Sequence, residues 1–222
     1  MSQYTALITG ASRGIGAGIA EKFSQEGLNV ITPSRKELDL KSSKSIESYL
    51  KTLEQPIDIL VNNAGINILS DVTEVSTNDI QDTLQVNLTA PLQLIKGVVP
   101  QMMARRSGKI VNISSIWSLV SKARRLTYAA SKSGLNGLTR TLALELAPYN
   151  ILINAVAPGF VDTELTRQNN TENEINKIKE TIPLQRLAGI SEIAEVVYFL
   201  CSPNNTYMTG QIITVDGGFT CQ

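Results

Sequence analysis

Short runs of apolar residues alternate along the chain with longer stretches in which apolar positions recur every three or four residues. Short runs bounded by turn signals are typical of buried strands, and the longer period is typical of amphipathic helices. The runs that predict strands lie near residues 4–9, 28–32, 57–61, 109–114, 151–156 and 211–214. Strands that alternate with helices usually build a parallel sheet. The pattern therefore predicts an α/β fold, a doubly wound parallel sheet with helices on both faces.

Two long helices, predicted over residues 78–105 and 127–147, carry broader apolar surfaces than burial of a single face requires. The apolar positions of the first are Leu88, Leu92, Leu94, Ile95, Val98, Val99 and Met102, and those of the second are Leu135, Leu138, Leu142, Leu144 and Leu146. The additional apolar surface either packs against a partner subunit or lies beneath neighbouring loops.

The sequence contains no stretch that is typical of a linker, because no segment is rich in proline or serine, repetitive or heavily charged. Its 222 residues are many for one domain, yet α/β folds of this size often stay undivided. We therefore expect residues 1–222 to form one domain. The first predicted strand begins almost at Met1 and no apolar run approaches membrane-spanning length, so neither a signal peptide nor membrane binding is expected.

The composition disfavours several classes of function. There are 20 basic and 20 acidic side chains, so the formal net charge is zero and nucleic acid is not an expected partner. Histidine is absent, which removes the commonest general base and metal ligand, and we expect no metal site. The two cysteines, Cys201 and Cys221, have no metal-ligand spacing, and the expectation is reduced thiols in the cytoplasm.

A glycine-rich turn follows the first predicted strand directly. The strand Thr5-Ala-Leu-Ile-Thr9 runs into Gly10-Ala-Ser-Arg-Gly14-Ile-Gly16 and then into an apolar-periodic helix. Glycine allows a tight turn, and the free N–H groups at a helix start favour an anion. The spacing is not the commoner Gly-x-Gly-x-x-Gly, and a glycine cluster alone is a weak signal. Its place after the first strand favours a dinucleotide site in a Rossmann-like fold.

A tyrosine and a lysine are spaced to lie one helical turn apart. In the segment Tyr128-Ala-Ala-Ser-Lys132, the four-residue spacing places both side chains on one face of a helix. A neighbouring ammonium favours the phenolate, and lowering the tyrosine pKa from ~10 to ~7 takes about 4 kcal/mol of differential stabilisation. The pair is then a candidate proton donor near neutral pH. The alternative is that Tyr-x-x-x-Lys is only a common surface spacing.

With both features in place, the chain resembles the single-domain branch of the short-chain dehydrogenase/reductase family nearly from end to end. The other segments that carry the resemblance are residues 58–65, which end in Asn-Asn-Ala-Gly, then Asn87, Pro158-Gly159 with Thr163, and Asp216-Gly217-Gly218. The most similar members include the 3-oxoacyl-(acyl-carrier-protein) reductases. The resemblance implies a homo-oligomer, a dimer or a tetramer, assembled through the two long helices.

The resemblance also implies four catalytic residues. Tyr128 is the expected acid/base, and Ser115 is expected to hydrogen-bond the substrate oxygen. Lys132 is expected to hold the nicotinamide ribose and to lower the tyrosine pKa, while Asn87 positions a water in a proton relay. Pro91 lies four residues after Asn87 and has no N–H, so the Asn87 carbonyl loses its helical partner and can accept from water. Pro91 could instead only kink the helix.

The cofactor contacts are expected from the glycine turn, the end of the second strand, the Asn-Asn-Ala-Gly segment, the catalytic pair and the segment after the fifth strand. They are Gly10, Ser12, Arg13, Gly14, Ile15, Gly16, Ser34, Arg35, Asp39, Leu40, Asn63, Ala64, Gly65, Tyr128, Lys132, Pro158, Gly159, Val161 and Thr163. We expect NADP(H), because no acidic residue ends the second strand and Arg13 and Arg35 could flank a 2′-phosphate. The alternative is that both arginines are merely solvated. Asp39 is expected to contact the adenine, although it could instead cap the following helix.

The chain departs from the family pattern after the second strand. Only Lys36 and Glu37 separate Arg35 from Leu38-Asp39-Leu40, whereas a parallel crossover ordinarily needs a dozen or more residues. The crossover helix is therefore expected to be missing. We predict that residues 38–40 pair only as a stub beside the second strand, which trims the sheet edge and opens the adenine pocket.

The substrate wall is expected from residues 117–125 and from an amphipathic lid over residues 162–183. The apolar positions of this lid are Leu165, Ile175, Ile178 and Ile182. Three basic residues of the first segment, Lys122, Arg124 and Arg125, could contact an anionic carrier, a phosphate or a carboxylate, or could form only a solvated loop.

One position bears on whether the substrate is attached to a carrier protein. Arg106 matches a carrier-docking arginine of the similar reductases, but Tyr149 stands where a second arginine is expected. This difference speaks against an acyl-carrier substrate.

These residues predict an NADPH-dependent oxidoreductase that interconverts a carbonyl and an alcohol, with Tyr128 as the proton donor and a 3-oxoacyl thioester as one candidate substrate. One alternative is a sugar-nucleotide ketoreductase or epimerase, which the glycine spacing and the short C-terminal region disfavour. The other is a non-catalytic NADP-binding scaffold, which the intact catalytic positions disfavour.

Overall fold

Six parallel strands form one sheet through the centre of the protein. The computed structural model describes residues 4–221, apart from the side chains of Leu165 and Asn169. The strands are β1 (Thr5–Ile8), β2 (Asn29–Ile31), β3 (Ile59–Asn62), β4 (Gly108–Ile113), β5 (Ile151–Pro158) and β6 (Ile212–Val215). They pair in the order β2-β1-β3-β4-β5-β6. Each predicted strand overlaps an observed one, and the predicted doubly wound parallel sheet is confirmed.

Helices connect the strands and cover both faces of the sheet. The described residues contain α1 (Gly14–Gln25), α2 (Ser43–Lys51), α3 (Thr77–Leu84), α4 (Ala90–Arg105), α5 (Leu126–Leu146), α6 (Glu164–Asn169), α7 (Glu172–Glu180) and α8 (Ile190–Cys201). The helix predicted over residues 127–147 is α5.

Alternate residues of each strand enter two separate apolar cores, one on each face. In β1, Ala6 and Ile8 pack in the core that contains residues of α1 and α8, whereas Leu7 packs in the core that contains residues of α2, α4 and α5. On α1, Ile19 and Phe23 lie one turn apart and are fully buried. A parallel sheet covered on both faces leaves its strand ends as the accessible part of the sheet.

The order in which successive strands are added to the sheet reverses at β1. This strand pairs with β2 on one side and with β3 on the other. In doubly wound sheets such a reversal opens a crevice at the carboxyl ends of the strands, where ligands bind. The reversal therefore places the candidate site beyond the ends of β1 and β3.

The prediction that residues 38–40 pair as a strand stub is wrong. The chain after β2 turns on itself instead: the N–H of Leu38 donates to the Ser34 carbonyl at 2.9 Å, and a carboxylate oxygen of Glu37 accepts from the Ser34 N–H at 2.8 Å. Leu38 is buried in the core beneath α2 rather than paired beside β2. Local hydrogen bonds and burial of one leucine thus replace strand pairing, and β2 is the edge strand.

The helix predicted over residues 78–105 is interrupted. A π turn, Gln85–Thr89, lies between α3 and α4, and the N–H of Ala90 donates to the carbonyl of Gln85, five residues back. Pro91 follows in the first turn of α4, where a missing N–H is tolerated. The wider turn contains Asn87, so the local irregularity surrounds a predicted catalytic residue.

A chain of buried amide hydrogen bonds joins the sheet to α5. The side-chain N–H₂ of Asn62 on β3 donates to Asn112 on β4 at 2.9 Å. The Asn112 amide donates to the Thr139 hydroxyl at 2.9 Å, and that hydroxyl donates to the Leu135 carbonyl at 2.8 Å. All three side chains are buried, so α5 is fixed against the sheet by polar contacts as well as by packing.

Candidate active site

A pocket of about 540 Å³ opens at the carboxyl ends of the strands. Every predicted cofactor residue lines it, together with Ser115, whereas Asn87 lies outside the lining. These cofactor residues are Gly10, Ser12, Arg13, Gly14, Ile15, Gly16, Ser34, Arg35, Asp39, Leu40, Asn63, Ala64, Gly65, Tyr128, Lys132, Pro158, Gly159, Val161 and Thr163. The structure thus brings residues from distant parts of the chain to one cavity.

The glycine turn is packed too closely for side chains at two positions. A Cβ on Gly10 would lie 2.8 Å from the Ala64 Cα, and the φ of Gly10 is +67°. A Cβ on Gly16 would lie 2.3 Å from the Asn63 amide nitrogen. That amide donates to the carbonyls of Thr9 and Gly10 at 2.9 and 3.0 Å. Asn63 therefore holds the turn in shape.

The start of α1 is suited to a phosphate. Its N-cap residue, Arg13, makes no side-chain capping hydrogen bond within residues 4–221, and the first turn of α1 contains no acidic residue. The N–H groups of that turn lie at the positive end of the helix dipole and face a pocket. A pyrophosphate fits this position.

Two arginines flank the far end of the pocket. Arg13 and Arg35 are both exposed, and neither forms an ion pair in the part of the chain that the structure describes. The turn that presents Arg35 is fixed by Glu37, whose carboxylate accepts from the Ser34 N–H. The same hydrogen bond lowers the pKa of the Glu37 carboxyl. Asp39 lines the pocket and accepts from the Lys41 N–H at 3.1 Å.

Asp39 is not the cap of the following helix. Ser42 is the N-cap of α2, where its hydroxyl accepts from the Ser45 N–H. The alternative role that we considered for Asp39 is therefore wrong. Its position in the pocket wall remains compatible with contact to an adenine.

Tyr128 and Lys132 lie on the first turns of α5, as their spacing predicts. The Lys132 Nζ donates to the Ile113 carbonyl at 2.7 Å and lies 5.7 Å from the centroid of the Tyr128 ring. Lys132 is only 3% exposed, although it lines the pocket. The strand end of β4 therefore anchors the ammonium beside the phenol.

Burial dominates the titration of both groups. Desolvation raises the pKa of the Tyr128 phenol above its ordinary value, and the Ser115 hydroxyl and the Arg125 charge only partly offset this. Burial lowers the pKa of Lys132 to about 8. The expectation that Lys132 lowers the tyrosine pKa stays a prediction for the site with the nicotinamide bound, since in this structure desolvation outweighs the effect of neighbouring charge.

Ser115 is held by a network that the sequence did not indicate. It follows β4, and its Oγ accepts from the Trp117 N–H at 3.3 Å. The neighbouring Ser114 hydroxyl donates to the Asn136 side-chain oxygen at 2.7 Å, and the Asn136 amide donates to the Ser118 hydroxyl at 2.8 Å. Asn136 lies on α5, eight residues after Tyr128, so one helix positions both sides of the site.

Asn87 lies behind the pocket in the π turn. Its amide donates to the Ile66 carbonyl at 2.9 Å and to the Ser131 hydroxyl at 3.1 Å, while its side-chain oxygen accepts from the Ile66 N–H at 2.9 Å. A Cβ on Gly65 would lie 3.3 Å from that oxygen and 3.4 Å from the Lys132 Nζ. The Asn87 side chain is thus used in structural hydrogen bonds close to Lys132, and the water relay stays a prediction.

Three aromatic rings pack together outside the pocket lining, and no residue of the predicted substrate wall 117–125 lines this pocket. Trp117, Phe160 and Phe219 pack edge to face with ring centroids 5.3–6.0 Å apart. Phe160 and Phe219 were not in the predicted site, because they are separated by 58 positions and only the fold brings them together. From the predicted lid, the residues that line the pocket are Thr163, Glu164 and Thr166.

The rest of the predicted lid does not line the pocket in this structure. Ile175 and Ile178 on α7 are half-buried, and Ile182 is buried. A Cβ on Gly217 would lie 2.8 Å from Ile182, which places Ile182 beside the C-terminal segment. The side chain of Leu165 lies outside the described part of the chain.

No helix within residues 4–221 is long and apolar enough to cross a membrane. In the same residues, no group of three or more acidic, cysteine or histidine side chains is arranged to hold a metal ion.

The chain is similar to known proteins over nearly its whole length. A family model described as enoyl-(acyl carrier protein) reductase matches residues 34–220. A 3-oxoacyl-(acyl-carrier-protein) reductase, FabG, from Aquifex aeolicus (strain VF5) is 39% identical over an alignment of 237 residues, which covers 96% of this chain and 95% of that protein.

Solved structures with the same fold cover the chain equally well. ElxO with NADP bound is 30% identical, with a TM-score of 0.91 and coverage of 100% of both chains. The aldohexose dehydrogenase of Thermoplasma acidophilum, in a ligand-free form, is 31% identical, with a TM-score of 0.94 and coverage of 99% of this chain and 95% of that one.

Proposed function

The chain belongs to the short-chain dehydrogenase/reductase family, and from this premise we propose that it is an NADPH-dependent oxidoreductase that reduces the carbonyl of a small molecule to an alcohol. The observation that supports this most directly is that Ser115, Tyr128 and Lys132 line the same cavity as the glycine turn. Proton donor and dinucleotide site are thus within one pocket.

The pocket suits NADPH at three points. The uncapped start of α1 suits the pyrophosphate, and the exposed guanidinium groups of Arg13 and Arg35 suit a 2′-phosphate. ElxO, a relative of known structure, has NADP bound. We assign the nicotinamide end to the vicinity of Lys132 and Gly159, which line the cavity beside Tyr128.

The protein residues supply the proton and the polarisation of the substrate. The nicotinamide, when bound, supplies the hydride for the carbonyl carbon. The Ser115 hydroxyl donates to the carbonyl oxygen and stabilises the charge that develops there. Tyr128, whose pKa burial raises, is a neutral phenol near pH 7 and donates its proton to the same oxygen.

A substrate attached to a carrier protein is not part of this proposal. The Arg106 guanidinium donates to the Pro148 carbonyl at 2.7 Å, so it is used within the protein. Tyr149 stands beside it, where a second arginine would be expected in carrier-dependent relatives. A free thioester, a sugar or a small ketone remains the substrate to be tested.

The test is NADPH oxidation measured across 3-oxoacyl thioesters, enoyl thioesters, aldoses, oxo acids and small ketones. We expect turnover of at least one carbonyl compound and none of the enoyl thioesters. Tyr128→Phe should lower kcat by about 10²–10⁴-fold and leave NADPH affinity within about twofold, because the phenol proton acts only in the transition state.

Tyr207→Phe is the control, because Tyr207 is exposed and does not line the pocket. Retention of most of the rate by Tyr128→Phe would remove the proposed donor. NADPH binding without turnover of any carbonyl would favour the scaffold alternative.

A further inference from the structure

We infer that Arg125 is a specificity-determining residue that binds an oxyanion group of the substrate, a carboxylate or a phosphate. This inference rests on the proposed function, since it takes Ser115 and Tyr128 as the site of reaction. It narrows the substrate from any carbonyl compound to an anionic one.

Arg125 lies at the start of the helix that contains Tyr128 and contacts the segment that follows Ser115. It is the N-cap residue of α5, three positions before Tyr128. Its guanidinium carbon lies 5.2 Å from the centroid of the Trp117 ring, and Trp117 follows Ser115 by two positions. The guanidinium is therefore held against a ring that follows Ser115 in the chain, at the start of the helix that contains Tyr128.

One polar atom of the Arg125 side chain lacks the partner that such an atom normally has. Its Nε is buried without a hydrogen-bond partner, and no carboxylate forms an ion pair with its guanidinium within residues 4–221. A buried donor left unpaired costs about 1–3 kcal/mol. Such a group calls for an explanation, and a bound anion would supply one here.

The neighbouring basic residues differ from Arg125 in this respect. Arg124 is exposed, and its Nε lies 3.5 Å from a carboxylate oxygen of Asp71. Lys122 is also exposed. The basic loop is therefore partly a solvated surface, as one of our alternatives stated. Of these three basic residues, Arg125 is the one that stacks on Trp117.

The surroundings of Arg125 strengthen its attraction for an anion. Burial lowers the pKa of Arg125, and its charge acts on Tyr128. A charge in a partly desolvated site attracts an opposite charge more strongly than one at the surface. Arg125 lines a second cavity of about 390 Å³, formed by residues 70–72 and 121–126 and distinct from the one that contains Ser115 and Tyr128, which can take the part of the substrate that carries the anion.

Matched pairs of carbonyl compounds test the inference. Each of a 2-oxo, a 3-oxo and a 4-oxo acid is compared with its methyl ester, and dihydroxyacetone phosphate is compared with dihydroxyacetone. We expect kcat/KM to be at least about 10-fold higher for one anion than for its neutral counterpart, since hydrogen bonds to charged groups are worth more than neutral ones. The acid and phosphate pairs distinguish the two anions.

Arg125→Gln should lower kcat/KM for the preferred anion by about 10–100-fold and change that for the neutral partner by less than about threefold. Arg125→Lys keeps the charge but not the planar fork, so it should restore part of the preference. Arg140→Gln is the control, because Arg140 is an exposed arginine of α5 that lines neither cavity, and it should leave both substrates within about threefold. Circular dichroism establishes that each variant is folded.

Trp117 provides a readout that does not depend on turnover. It is the single tryptophan of the chain, and Arg125 stacks on it. With NADP⁺ at saturation, titration with the preferred anion should change the Trp117 emission, the neutral partner should not, and Arg125→Gln should abolish the change.

The outcomes separate this inference from the proposed function. Carbonyl turnover without charge preference, or an equal loss for both members of a pair in Arg125→Gln, overturns the role of Arg125 and leaves the reductase intact. An Arg125-dependent emission change without reduction of any carbonyl supports the anion site and contradicts the reductase. The absence of both turnover and an emission change would contradict both proposals.

Discussion

Lys132 illustrates how burial changes the chemistry of a single residue. Its ammonium is enclosed at the end of β4 and has a pKa of about 8. We expect reduction to need the proton of Tyr128, whose pKa is raised above its ordinary value, and the charged form of Lys132. We therefore expect kcat/KM for reduction to be level at lower pH and to fall about tenfold per unit above pH ~8, as the free enzyme loses the Lys132 proton.

The measurement is kcat/KM against pH between about 6 and 10, which reports ionisations of the free enzyme. Lys132→Arg should move the fall to higher pH if the variant folds, because a guanidinium keeps its charge. A fall centred near pH 7 would mean instead that Tyr128 has the lowered pKa that its spacing from Lys132 suggests.

The two arginines at the adenine end should decide between the dinucleotides. Arg13→Gln and Arg35→Gln should each weaken NADPH binding by about 10-fold or more and leave NADH binding nearly unchanged, because a charge-assisted hydrogen bond to the 2′-phosphate is worth about 1.5–3 kcal/mol. Kd values from NADPH fluorescence titration provide the measurement.

Lys36→Gln is the matched control for these variants. Lys36 lies next to Arg35 and carries the same charge, but it does not line the pocket. An equal effect of Lys36→Gln would show that net charge alone attracts NADPH. Equal turnover of NADH and NADPH by the wild type at matched low concentrations would contradict the cofactor assignment.

Spacing was enough to place Tyr128 and Lys132 on one helix, whereas it was the family resemblance that placed Ser115 with them. The pKa of Tyr128 could not be predicted from spacing, because it depends on how much water the fold removes. Phe160 and Phe219 were missed because apolar residues far apart in sequence carry no local signal of contact.

Helix α5 positions the site through Asn136 as well as through its first turns. Asn136→Ala removes the hydrogen bonds of Asn136 to Ser114 and Ser118 and leaves only the direct bond between the two serines, so we expect kcat to fall by about 10-fold or more while NADPH affinity stays within about twofold. Loss of a hydrogen bond here costs about 1–3 kcal/mol, which lowers the Tm by roughly 2–12 °C for each bond lost in a protein of this size. Steady-state kinetics and differential scanning calorimetry measure the two effects.

Ser133→Ala is the control for Asn136→Ala. The Ser133 hydroxyl also contacts this segment, donating to the Ser118 carbonyl at 3.3 Å, but Ser133 is exposed. It should leave kcat and Tm nearly unchanged. A loss of stability in Asn136→Ala without loss of kcat would limit the network to a structural role.

The periodicity of apolar residues was sufficient to locate the strands and helices, because burial on both faces of the sheet imposes it. It was not sufficient to locate the π turn at Gln85–Thr89. An α turn and a π turn differ by one residue in the hydrogen-bond spacing, and Pro91 signalled only that one N–H was missing. The turn over residues 34–38 was likewise missed, because its hydrogen bonds are local and apolar periodicity does not report them.

At the scale of the molecule, the two long helices leave apolar side chains in solvent. Leu92 on α4 is 43% exposed and Leu144 on α5 is 80% exposed. We predict that they contact a partner subunit, so Leu144→Glu should lower the mass measured by light scattering at micromolar concentration to that of a smaller species. Burial of a charge against an apolar surface is the physical reason.

Val72→Glu is the control for this prediction, because Val72 is 78% exposed but lies outside both helices. It should leave the mass unchanged. A wild-type monomer at micromolar concentration would contradict the prediction. A dimer or tetramer that persists in Leu144→Glu would place the interface elsewhere.

The hydrogen-bonded asparagines of β3 and β4 have a consequence for how the sheet selects its alignment during folding. If β3 slipped by one residue past β4, the Asn62 side chain would lie on the opposite face of the sheet and Asn112 would lose its hydrogen bond from Asn62. Apolar side chains would tolerate that slip, since one branched aliphatic residue replaces another, but two amides without partners would not. The pair thus favours the one strand register in which Asn62 and Asn112 lie opposite each other and both strands end at the dinucleotide crevice.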